Sequence, residues 1–145
     1  MSQEFNKCLQ KGKITEFTPG KRLFGKELKI AEDDWRSAQK SFAEENFKWS
    51  IIQSYYSMFH SARALLYLEG YREKSHYCLI ESIRTLYVEK KLLDVPLVEA
   101  LLEAKNLRED ADYYGDFSKV NALKLLEKAE MFLDDARTIT SNSVL

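Results

Sequence analysis

An all-α fold is predicted: an antiparallel up-and-down four-helix bundle with one additional short helix, five helices in total. Three observations predict it. Gly and Pro number only 5 and 2 in 145 residues, roughly one residue in twenty against an average near 12%. A β-sandwich, with a turn every 8–12 residues or so, would need more of them. These breakers are also unevenly placed. Gly12, Pro19, Gly20 and Gly25 crowd the start, and only Gly70, Pro96 and Gly115 follow. Between them, apolar residues recur at alternating spacings of three and four, the repeat of one helical face.

The elements follow in order. Residues 1–20 read as a basic, irregular arm closed by a Thr18-Pro19-Gly20 turn. It is either a solvated tail or a segment that packs on the bundle or on a partner. Residues 21–140 form the bundle and 141–145 a C-terminal tail. The first long helix spans about Lys21 to Glu45, with Phe24, Leu28, Ala31, Trp35, Ala38 and Phe42 on one stripe. The second runs from about Phe47 to Glu69 and closes at Gly70. It is apolar around much of its circumference, which places it at the centre. Ser75 caps a third helix reaching about Lys90 and burying Leu79, Ile83 and Leu86. Asp94 and Pro96 start a fourth, which Gly115 stops just after Tyr113. Asp116 or Ser118 caps the fifth, with Ala122, Leu126, Ala129, Leu133, Ala136 and Ile139 as its stripe.

Bulk properties exclude several classes. Residues 1–30 hold seven Lys/Arg against three acids, a net of +4, so the other 115 carry −5 within a total of −1. No apolar run approaches the roughly 20 residues of a membrane span, and the start lacks the apolar stretch of a secretory signal. A cytoplasmic chain without membrane contact is expected. Cys8 and Cys78 are seventy residues apart with no CxxC spacing. Both are therefore expected as free thiols in a reducing compartment.

Helical geometry locates the chemistry. On the second helix, Leu66, Phe59, Tyr55 and Ala62 form the buried stripe, flanked over about 20–100° by Arg63, Tyr56, Tyr67, His60 and Gln53. On the fourth, Arg108 falls about 20° from Leu97, inside the core stripe, and Asp112 lies one turn on. An arginine there is costly unless paired and hydrogen-bonded. It is either a structural ion pair with Asp112, extended to Tyr56 or Tyr113, or the lining of a cleft or dimer seam that meets an anion. His60 is either a hydrogen-bonded core-edge histidine or a site group titrating near neutral pH. His76, in the first turn of the third helix, reads most simply as a surface residue beside the cap. There is no Gly-rich phosphate loop, HExxH or GxSxG, and neither a metal site nor a cofactor is expected. A net +4 arm is a weak signal for nucleic acid.

Three stretches together resemble the HEPN domain family, in the prokaryotic branch associated with minimal nucleotidyltransferases. Ser54-Tyr55-Tyr56-Ser57-Met58-Phe59-His60-Ser61-Ala62-Arg63-Ala64-Leu65-Leu66 is similar to its signature second helix. Gly70-Tyr71-Arg72-Glu73-Lys74-Ser75-His76 resembles the loop into its third helix, and Leu107-Arg108-Glu109-Asp110-Ala111-Asp112-Tyr113 its R-x-x-A-D-Y segment. The resemblance covers roughly residues 25–140. It implies a four-helix bundle with an extra short helix, usually a homodimer, often a toxin–antitoxin component encoded beside a nucleotidyltransferase. Catalytic members are metal-independent RNases using an Arg followed four to six residues later by His. Here the Arg corresponds to Arg108, but Asp112, Tyr113 and Tyr114 stand at the histidine positions. Cleavage by a 2′-hydroxyl gains from a group exchanging protons near pH 7, a task to which Tyr or a paired Asp is poorly suited.

Three functions are therefore carried forward. The first is a dimeric binding subunit that partners a separately encoded nucleotidyltransferase and binds nucleotide or RNA through Arg108, Asp112, Tyr113, Tyr56, His60, Arg63 or His76. The second is an RNase with an unusual site built on Arg108, Tyr113 and His60 or His76. The third is a structural or regulatory bundle in which the Arg108–Asp112 pair only fixes packing.

Overall fold

A computed structural model describes residues 2–143. Among them are six α-helices: α1 (Gln3–Gln10), α2 (Gly20–Ala43), α3 (Phe47–Leu68), α4 (His76–Ile83), α5 (Val95–Tyr114) and α6 (Lys119–Ser143). Two three-residue strands, β1 (Ile14–Glu16) and β2 (Tyr71–Glu73), pair antiparallel. The all-α class holds, with one helix more than expected. Residues 144 and 145 of the expected tail lie outside the described residues; the part that is described, 141–143, continues α6.

Helix α3 occupies the centre because it is apolar on most sides. Tyr55, Met58, Ala62, Leu65 and Leu66 are all buried. Against it α2 lies antiparallel, as the cross-contacts show: Ser41 meets Gln53, Ala38 meets Ser50, Ala31 meets Ser57 and Glu27 meets His60. The seam is made of small residues. Ser50 and Ser57 donate their hydroxyls to the carbonyls of Ala38 and Ala31, at 2.9 and 2.8 Å. These bonds satisfy hydroxyls that would otherwise be buried without partners. Trp35 of α2 reaches α6 by donating Nε1–H to the Leu126 carbonyl at 3.2 Å.

At one end of the seam the two backbones come close at Gly20. A Cβ added at Gly20 would stand 2.7 Å from the Tyr67 carbonyl oxygen and 3.0 Å from its Cα. Backbone cannot yield as a side-chain tip can. Gly20→Ala is therefore expected to destabilise by about 1–2 kcal/mol, lowering Tm by about 3–6 °C in a thermal melt.

Several expected features are corrected. The arm is basic but not irregular. Ser2 caps α1 by accepting from the Phe5 amide, and Phe5 and Cys8 are buried. One two-turn helix carries too little periodicity to stand out in a sequence, and it is held by packing rather than by propensity. The thiols are not free: Cys8 and Cys78 form a disulfide, with Cα atoms 5.8 Å apart. Sequence separation says nothing about spatial separation once β1 pairs with β2 and brings α1 onto α4. The third helix is also shorter than expected. It is α-helical to Ile83 and then widens into a π-helical turn over Arg84–Val88. There Tyr87 donates its buried hydroxyl to the Leu65 carbonyl at 2.5 Å, one of the last four carbonyls of α3. Gly115 ends α5 in the left-handed conformation, φ 65°, as a C-terminal glycine should.

Candidate functional site

Three elements converge beside the core: the middle of α3, the last two turns of α5 and the first residue of α4. Helix α5 carries Lys105, Arg108, Glu109 and Asp112 on consecutive turns of one edge. Helix α3 brings Tyr55, Tyr56 and Phe59. His76 begins α4, and its position is set locally by three ties. Ser75 caps the helix by accepting from the Cys78 amide at 3.1 Å, Cys78 is bonded to Cys8, and Lys74 donates its amide to the Lys13 carbonyl at 2.8 Å. The N-terminal segment thus holds the histidine in place.

Arg108 is mostly buried, its side chain 16% exposed. Nη2 lies 3.2 Å from Asp112 Oδ2, and the guanidinium stands 5.4 Å from the ring centres of Tyr56 and Tyr113 and 5.9 Å from that of Tyr55. Such ring faces favour a cation. Burial works against its charge, but Tyr56, Tyr113 and Asp112 more than offset that, and Arg108 stays protonated. Its Nε is buried with no hydrogen-bond partner. A planar donor with an unspent N–H is suited to an oxyanion.

His76 lies in the same neighbourhood. Its ring stacks on Phe59 at 4.9 Å, and Nδ1 is 2.5 Å from the Tyr55 hydroxyl. Burial pushes the Tyr55 phenol well above its usual range, so it keeps its proton. Among the described residues His76 is that hydroxyl's one hydrogen-bond partner. Donation to Nδ1 satisfies the buried O–H and leaves the imidazole proton on Nε2. Burial, then the positive charges of Lys105, Arg108 and Arg63, against an opposing Glu73, lower the His76 pKa. His76 is thus a neutral N–H donor at neutral pH.

A folded pKa below the unfolded value means that the unfolded chain binds the proton first as pH falls. His76 therefore contributes stability that is full above about pH 6.5 and is lost as pH drops through the unfolded and then the folded value. Thermal melts from pH 7.5 to 5 are expected to show a decline that His76→Gln flattens. A slope unchanged by the substitution would contradict this.

Of the residues singled out in the sequence, Arg108, Asp112, Tyr113, Tyr56 and His76 share this region. His60 and Arg63 do not share its bonds. His60 Nδ1 is 2.6 Å from Glu27 Oε2 on α2, and Nε2 is 3.9 Å from Asp34. Arg63 donates to both oxygens of Glu73 on β2, at 3.1 and 2.7 Å, and lies 3.8 Å from Glu27. These two side chains brace α3 against α2 and β2. Sequence reasoning missed Glu27 and Glu73, which no local pattern connects to α3. It also missed Lys105, although its place one turn before Arg108 was a usable signal. Lys105 donates to Glu109 at 2.8 Å, so both cations of α5 have an acidic partner and this group of side chains is close to charge-balanced. Among the described residues no cluster of His, Cys, Asp or Glu is placed to hold a metal ion.

Comparison with known proteins follows the same outline. The HEPN domain profile matches residues 26–139. The protein named "Putative toxin MJ0142" of Methanocaldococcus jannaschii is 29% identical over 119 residues, covering 81% of either chain. A second from the same organism, "Putative toxin MJ0605", is 29% identical over 108 residues, 74% of this chain and 81% of its own. A "UPF0332 protein" of Archaeoglobus fulgidus is 34% identical over 121 residues, 81% of this chain and 96% of its own.

Proposed function

We propose, because this chain belongs to the HEPN domain family, that it is the binding subunit of a toxin–antitoxin-like pair and grips a phosphate of a nucleotide or RNA between Arg108 and His76. The carrying observation is Arg108 itself: a mostly buried guanidinium among three tyrosine rings, with Nε unpaired among the described residues. The neutral Nε2–H of His76 adds a second donor nearby. Two relatives have the word toxin in their names, which supports the pairing with an antitoxin.

The partner in this reading is a separately encoded minimal nucleotidyltransferase, and the working form is a homodimer. Support for a dimer comes from the turn after the site. Tyr113, Tyr114, Phe117, Val120 and Leu123 are all exposed there, an apolar patch of the kind that marks a protein interface. Light scattering on the purified chain tests this part, and Val120→Glu is expected to yield monomers.

Titration calorimetry with AMP, ATP and a short RNA tests the ligand, alongside co-purification with a transferase encoded nearby. Saturable binding that Arg108→Ala abolishes is expected. No binding of any of the three ligands, together with no transferase partner, would refute the reading.

One observation favours a second reading, a metal-independent RNase: His76 is brought from another helix into the neighbourhood where the family's motif histidine is missing after Arg108. Incubation of structured RNA in EDTA tests it. Cleavage by wild type that is lost in both His76→Gln and Arg108→Ala would carry this reading, and intact RNA would end it.

A further inference from the structure

The group of side chains at Arg108 is close to charge-balanced, yet a polynucleotide needs surplus positive charge to hold its backbone. That surplus lies on the N-terminal segment, most of which precedes the stretch matched by the family profile, residues 26–139. In the β1–β2 ribbon, Ile14 is opposite Glu73 and Thr15 opposite Arg72. Ile14 is 1% exposed and Glu73 is turned inward to Arg63, so alternation directs Lys13, Arg72 and Lys74 to the outer face. Lys13 and Lys74 are the next opposed pair, joined by the Lys74 amide and Lys13 carbonyl.

Two lysines directly opposed on a ladder weaken it. Lys11, Lys13 and Lys74 are exposed and make no salt bridge among the described residues. Arg72 packs over the Phe17 ring at 4.9 Å and Glu16 is the one acid exposed on β1, so Lys13 and Lys74 stand as an exposed cation pair without an ion-pair partner among the described residues.

The ribbon also adjoins the side chains around Arg108 through His76. Lys74 is two residues from His76, about 7 Å along extended backbone. Lys11 and Lys13 border a hollow of about 230 Å³ over the disulfide. Lys7, Glu4 and Tyr77 share that lining, the Tyr77 hydroxyl donating to Glu4 at 2.8 Å, and Tyr77 also lines the next hollow, of about 180 Å³, with Glu81, Arg84 and Lys105. Both are small for an enclosed drug-sized ligand and suit a strand lying across them, with the exposed Tyr77 as a stacking surface for a base.

We propose that the outer face of the β1–β2 ribbon, through Lys13, Arg72 and Lys74, with the adjoining Lys11 at the end of α1, is a track for the phosphate backbone of single-stranded RNA whose held phosphate sits at Arg108. This rests on the phosphate-binding reading of Arg108 given above. An unpaired strand fits better than an acidic protein because Tyr77 interrupts the cations with an aromatic face.

The test is fluorescence anisotropy of a labelled 15-nucleotide single-stranded RNA with the full chain, from 50 to 300 mM salt. Wild type is compared with Lys11→Gln/Lys13→Gln/Lys74→Gln and with Arg108→Met, and poly-glutamate is added as competitor. Removing three phosphate contacts is expected to weaken binding at least about tenfold and to lower the slope of log affinity against log salt by about two. The triple variant should melt no lower than wild type, since it loses a like-charge pair. A triple variant that keeps the wild-type slope overturns the track. So does displacement of RNA by poly-glutamate at equal charge, which would mark an acidic protein as the occupant, and so does a wild type that binds no RNA at low salt. The two readings fail separately. If Arg108→Met alone loses binding, the track is wrong and the Arg108 site stands; if the triple variant alone loses it, the reverse holds.

Discussion

Reducing the Cys8–Cys78 bond is expected to lower the unfolding free energy by about 4 kcal/mol, the largest stability effect in the molecule. The two residues are 70 apart, and cross-linking a loop of that length removes a corresponding amount of chain entropy from the unfolded state. In a domain of this size that is about 10–15 °C in Tm. Melts with and without reductant measure it. Cys8→Ser/Cys78→Ser should start at the lower Tm and ignore reductant. Equal melting of wild type in both conditions would refute the expectation. The effect should also reach the site: α1 and β1 are tied to α4 by this bond and by the ribbon, and His76 stands two residues from Cys78. Reduced protein is accordingly expected to bind its phosphate ligand more weakly.

The second large effect is on binding. Arg108→Met with Asp112→Leu removes both members of the ion pair and leaves apolar groups of similar volume. Replacement of a buried pair in this manner is often neutral or stabilising. Here the side chains are only 16% and 32% exposed, so the desolvation recovered is appreciable and offsets the loss of the pair and of the ring contacts. The lost ring contacts amount to about 0.5–1 kcal/mol each. Stability is expected to change little. Ligand affinity should fall about tenfold to a hundredfold, the worth of one charged hydrogen bond at about 1.5–3 kcal/mol. Calorimetry beside a denaturant titration separates the two quantities. A double variant that binds as wild type would return the pair to a purely structural role. Arg108→Lys is the useful intermediate, since it keeps the charge and loses the planar fork.

Much of this was legible in the chain. The stripes of α2 and α6, the cap at Ser75, the proline opening α5 and the glycine closing it are all short-range features. The Arg108–Asp112 pair was legible for the same reason, because residues four apart on a helix are neighbours whatever surrounds them. Absent from any local pattern were the partners of each polar group. His60 lies mid-helix in α3 and His76 opens α4. One is held by Glu27 through the α2–α3 seam and the other by Tyr55 beneath α4. The π-helical turn at Arg84–Val88 was equally hidden, since its widening accompanies Tyr87 reaching across to Leu65.

The sequence by itself determined the long helices α2, α3, α5 and α6 and the arginine inside the core stripe of α5, because helical periodicity and capping act over three or four residues. Tertiary structure alone decided that Cys8 meets Cys78, that β1 finds β2, and that His76 joins Arg108 while His60 does not. Those contacts link residues 21 to 70 positions apart or lie between different elements. They exist only once packing around α3 fixes how the elements lie against one another.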